Sequence, residues 1–120
     1  MGTLIAILGT GKGTWLEVHS ILSLKAFEDV VLFVDDWAAK EYRNELNATV
    51  VPIADMPIDE LVKYIKEHIK ANANAAEFDI ALNIASGTGK QHAALMTAVL
   101  QLGYGIRLVS FENGQLKVLT

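Results

Sequence analysis

The chain alternates two kinds of apolar pattern, and that alternation limits its fold more than any other feature. Short apolar runs at 3–8, 30–34, 49–53 and 79–84 have the length and composition of strands. Between them lie segments with apolar residues at helical spacing. They cover 14–25, 37 to about 46, 58–69 after Pro57, and 90–102 before Gly103. Asp35 and Asp36 stand where they can cap the second helix, and Pro52 marks the end or edge of the third strand. Runs at 106–111 and 116–119 flank Glu112-Asn113-Gly114-Gln115, the pattern of a terminal hairpin with an Asn-Gly turn. Strands separated by helices pair in parallel through right-handed crossovers. The expected fold is α/β: one doubly wound, Rossmann-like, mostly parallel sheet with helices on both faces and a C-terminal β-hairpin. At 120 residues it forms one domain.

Composition narrows the chemistry. The chain has no cysteine, which removes a disulfide scaffold, a thiolate metal site and a cysteine nucleophile together. A net charge of −4 argues against a broad footprint for duplex nucleic acid, so any anion site has to be local. Its first residues lack the basic n-region of a signal peptide, and Ala6 breaks the myristoylation pattern. The longest apolar stretch, 93–106, contains Thr97 and Gln101 and is too short to span a bilayer. The expectation is a soluble, cytoplasmic protein that does not engage a membrane.

One tetrapeptide occurs twice. Gly9-Thr10-Gly11-Lys12 follows the first strand and Gly87-Thr88-Gly89-Lys90 the fourth, each just before a helix. Glycine there lets the backbone approach a ligand closely, and a helix N-terminus offers unpaired N–H groups to an anion. Threonine adds a hydroxyl, and lysine a mobile charge suited to phosphate. In a doubly wound sheet the loops after the first and fourth strands flank the topological switch point, so both would meet in one crevice. Glycines that merely allow tight turns are the alternative reading.

Known phosphate motifs fit poorly. A P-loop needs an earlier glycine where Ile84 and Ala6 stand, and a Ser or Thr where Gln91 and Gly13 stand. The dinucleotide fingerprint comes closer, with Gly9, Gly11 and an Asp35 placed for a ribose contact, but Thr14 occupies its third glycine position. An NAD-binding regulatory domain stays open as an alternative.

The segment Asp79-Ile-Ala-Leu-Asn83-Ile-Ala-Ser86-Gly87-Thr88-Gly89-Lys90 resembles the C-terminal motif of CRISPR-associated Rossmann-fold (CARF) domains. In that motif a strand ends in an Asn-x-[Thr/Ser]-x-Gly-[Thr/Asn]-[Lys/Arg]-like loop. Gly89 departs from it as an extra residue between Thr88 and Lys90, and the first strand with Gly9-Thr10-Gly11 resembles the family's first ligand loop. The resemblance implies a homodimer or higher homo-oligomer that binds a cyclic oligoadenylate, the messenger of type III CRISPR antiviral defence, with no cofactor and no metal. A small stand-alone form resembles ring nucleases, which would cleave the ring without metal; sequestration, or a passive sensor domain of a larger effector, is the alternative. Cyclic tetra-adenylate is the expected ring.

Cleavage of that kind needs only a ribose 2′-OH oriented in line with its own phosphate and a stabilised charge. Lys90, Thr10 and His92 are the candidate catalytic residues, Lys90 for the charge and His92 as acid or base. Gly9, Gly11, Lys12, Asn83, Ser86, Gly87, Thr88 and Gly89 are the candidate ligand-binding residues. His92 also reads as a polar residue near a helix N-terminus, Asn83 and Gln91 as turn-bonding residues, and Trp15 as a core aromatic or an adenine platform. His19 and His68 lack metal-ligand spacing.

Overall fold

A computed structural model of the chain describes residues 2–10, 14–73 and 77–120. Within them run β1 (Thr3–Leu8), α1 (Trp15–Ser23), β2 (Asp29–Val34), α2 (Asp36–Glu41), β3 (Thr49–Pro52), α3 (Ile58–Asn72), β4 (Asp79–Asn83), α4 (Gly89–Gln101), β5 (Gly105–Glu112) and β6 (Gln115–Val118). The strands form one sheet in the order β3-β2-β1-β4-β5-β6, parallel except where β6 returns against β5. The doubly wound, Rossmann-like fold expected from the alternation is the fold found.

Every residue of β1 is buried, because helices cover both faces of the sheet. Alternation along the strand divides its side chains between two cores. Ile5 and Ile7 pack with Leu61, Ile65 and Ile69 of α3 and with Leu95 and Val99 of α4. Leu4, Ala6 and Leu8 pack with Val18, Ile21 and Leu22 of α1 and with Ala38 of α2. At the hairpin turn Asn113 and Gly114 adopt φ of 52° and 75°, the positive pair that a type I′ turn requires.

One element is shorter than its pattern implied. The second helix ends at Glu41 instead of near residue 46, because Tyr42 turns extended (φ −77°, ψ 129°). Asn44 then closes a loop, its side chain accepting from the Ala48 N–H at 2.9 Å and donating to the Ala48 carbonyl at 2.6 Å. A thin apolar stripe leaves a longer helix little to bury, and the asparagine offers the backbone a competing partner. The other boundaries move by at most three residues, the largest shift being the end of α3 at Asn72, and β3 is an edge strand, as Pro52 indicated.

β1 lies beside both β2 and β4, so the chain reverses its direction of growth there. That is the switch point, and its crevice opens at the carboxyl ends of β1 and β4. Among the described residues no helix is long and apolar enough to cross a membrane.

Candidate functional site

The loops leaving β1 and β4 touch. A Cβ on Gly9 would stand 3.1 Å from the Gly87 Cα and 3.3 Å from its nitrogen, so any other residue would push the two backbones apart by a few tenths of an ångström. The Gly9 N–H donates to the Ser86 hydroxyl at 2.9 Å, and the Gly9 carbonyl accepts from the Trp15 indole N–H at 2.9 Å. Both polar groups of Gly9 therefore serve the fold. Gly87 sits at φ +104°, and a side chain there would meet Ile7 Cγ2 at 2.8 Å. His92 Nε2 lies 2.7 Å from the Ser86 carbonyl. A carbonyl only accepts, so Nε2 carries the proton of this contact, and Nδ1 takes no part in it.

The start of α4 is organised by a capping box. Thr88 Oγ1 accepts from the Gln91 N–H at 3.1 Å, while the Gln91 side chain accepts from the Thr88 N–H at 2.9 Å. The N–H groups of Gly89 and Lys90 are the first-turn donors that this box does not use. The Thr88 hydroxyl, an acceptor in the cap, still has its own proton to give. A Cβ on Gly89 would find no atom within 4 Å, so the extra glycine of the motif faces open space.

Beside the two loops lies a cleft of about 410 Å³ that runs from Thr10 and Asp35 past Trp37 and Asp55 to Thr88 and Lys90. Asp35 caps α2 through Oδ1, which accepts from the Ala38 N–H at 2.8 Å, and its Oδ2 accepts from the Thr10 hydroxyl at 3.2 Å. Trp37 is 37% exposed at the rim and is held from behind by Trp15, ring centroids 5.4 Å apart. Trp15 also meets Tyr42 edge-on at 6.1 Å, and burial, then the Glu45 carboxylate, pushes the Tyr42 phenol above its usual value. The Lys90 ammonium stands 3.2 Å from Asp55 Oδ1.

The structure thus gathers Gly9, Thr10, Ser86, Gly87, Thr88, Gly89 and Lys90 at one crevice. Gly11 and Lys12 lie outside the described residues. Asn83 is buried (1% exposed) on the α1 side of the sheet, donating to the Val109 carbonyl at 3.0 Å and to Glu17 Oε2 at 2.7 Å, and accepting from the Ala85 N–H. Trp15 is a packing residue whose indole is tied to Gly9. Trp37 and Asp55 were not among the sequence candidates. Trp37 follows the caps at the end of β2 and Asp55 follows the third strand, and a doubly wound sheet turns both places toward the same crevice. Among the described residues no group of three or more histidine or acidic side chains could hold a metal ion.

No family model matches the chain, and no curated protein matches it at a significant level. Among solved structures it is similar to Can2 from Sulfobacillus thermosulfidooxidans in complex with cyclic tetra-adenylate, with a TM-score of 0.63 and 12% sequence identity. The likeness covers 98% of this chain and 37% of Can2, so the chain spans little more than a third of the length of that protein. It shows the fold, a doubly wound, Rossmann-like sheet.

Proposed function

We propose that the chain binds a cyclic oligoadenylate, cyclic tetra-adenylate foremost, at the crevice between the β1 and β4 loops, and removes it by metal-independent ring cleavage. The observation that carries this reading is the contact between Gly9 and Gly87, which brings two Gly-Thr-Gly-Lys loops together at a switch point. The shared fold with Can2, solved with that ring bound, supports the same ligand. Gly9, Ser86 and Gly87 shape the crevice. The Thr88 hydroxyl and the N–H groups of Gly89 and Lys90 point to a phosphate partner, and Lys90 neutralises the charge that grows on the phosphoryl oxygens as a ribose 2′-OH, losing its proton, attacks its adjacent phosphorus in line and the P–O5′ bond breaks, leaving a 2′,3′-cyclic phosphate and a protonated 5′-hydroxyl. His92 offers Nδ1 as the acid–base nitrogen, and Lys12 and Gly11, which follow Thr10 in the sequence, are further proposed ligand-binding residues. The expected assembly is a homodimer in the cytoplasm, whose two-fold axis would set four such loops around one symmetric tetra-anion.

Incubation of the protein with cyclic tetra-adenylate in EDTA tests this, read by native gel and by chromatography of products. A shifted band with linear products is expected. A shift without products would leave a sensor or a sequestering protein, the second reading. No shift would remove the ligand.

A further inference from the structure

The one cation among the described residues lining the cleft is already paired. Lys90 is the second residue of α4, and a lysine in a first turn stands against the helix dipole. The other three helices carry acids there: Glu17 in α1, Asp36 in α2, Asp59 and Glu60 in α3. In α4 the first turn has none, and the negative charge arrives from another element: Asp55, on the segment leaving β3, 35 positions away, with Oδ1 at 3.2 Å from Nζ. The Asp55 side chain is 98% exposed and that of Lys90 43%, so neither is locked by packing and the pair is free to open. Its carboxylate stands within hydrogen-bond distance of the ammonium that an incoming anion would meet.

We infer that Asp55 is a displaceable counter-ion: it holds Lys90 in the ligand-free protein and a phosphate must replace it, so Asp55 sets the affinity of the crevice for anions. This rests on the proposed anion-binding reading and adds its regulation. A weak, singly contacting anion gains little by exchanging one negative partner for another. An oligoanion that also reaches the Thr88 hydroxyl and the Gly89 N–H gains contacts that Asp55 does not make. The carboxylate thus works as a selectivity filter, favouring multivalent over simple phosphates.

Calorimetric titration with cyclic tetra-adenylate, and separately with inorganic tripolyphosphate, tests it. Asp55→Asn should tighten binding about twofold to fivefold, the range that exposed ion pairs command. It should leave the melting temperature unchanged, since the side chain is exposed. The gain should vanish in a Lys90→Ala background, and Asp36→Asn, in the same cleft but not bonded to Lys90, should give less. An unchanged or weaker affinity for Asp55→Asn, an equal gain with Asp36→Asn, or a gain that survives Lys90→Ala would overturn the inference. Tripolyphosphate separates the two readings. If the wild type binds it and not the cyclic ring, the nucleotide ligand is lost while Asp55 is still tested. If the wild type binds neither, both fall.

Discussion

The backbone N–H of Gly9 donates to the hydroxyl of Ser86, 77 positions away, at 2.9 Å in the buried junction between two loops. With the His92 contact to the Ser86 carbonyl at 2.7 Å, that bond makes the β1 and β4 loops one unit. Replacing Ser86 by alanine leaves a buried N–H without its partner, a loss of about 1–3 kcal/mol. Thermal unfolding should show the drop, and ring affinity should fall with it because the loops no longer share a register. An Ser86→Ala protein that melts like the wild type would show that the bond does not couple the loops.

The two glycines of the second loop should part company. Gly87→Ala forces a side chain to within 2.8 Å of Ile7 Cγ2 at φ +104°, so it should lower the melting temperature. At Gly89 an added methyl meets nothing within 4 Å, and alanine in a first helical turn is favourable by propensity. Gly89→Ala should therefore keep or raise stability while weakening the ring, because the open space is where phosphate would approach. Melting curves and ring titration on the two variants check both halves; unchanged affinity for Gly89→Ala would take the phosphate away from that N–H.

Lys90→Ala removes the charge at the start of α4. Its ion pair with Asp55 is exposed, so stability should hardly change. Ring affinity should drop about tenfold or more, the scale of a lost charge-assisted hydrogen bond. Titration of the variant measures this directly. Wild-type affinity would exclude Lys90 from the site.

How much of this was legible in the sequence follows from what each part depends on. The sheet was legible because β1 and β4 carry short apolar runs, 4–8 and 80–82, separated by segments of helical period, a pattern that few topologies satisfy. The meeting of the two loops was legible from strand order alone. Three things were not. The end of α2 depends on Asn44 choosing the Ala48 backbone, a competition that periodicity does not weigh. The role of Gly9 as a wholly engaged packing residue depends on Ser86 and Trp15, 77 and 6 positions along the chain from it. Asp55 meets Lys90 because the segment leaving β3, with Ile53, Ala54 and Asp55, lines the same cleft as the start of α4, a proximity that spacing does not reveal.

In the proposed reaction His92 would serve two roles, positioning and proton transfer, with one ring. Its Nε2–H holds the Ser86 carbonyl at 2.7 Å, and Nδ1, outside that contact, is the nitrogen that the proposed acid–base step would use. Alanine removes both, so His92→Ala alone would not separate positioning from catalysis. Glutamine can donate to the same carbonyl but has no titrating nitrogen. His92→Gln should therefore keep most of the ring affinity of the wild type and slow cleavage about a hundredfold or more. Single-turnover cleavage and titration on the same preparation give the two numbers. Cleavage at the wild-type rate in His92→Gln would make His92 a positioning residue and assign the proton transfer to another group.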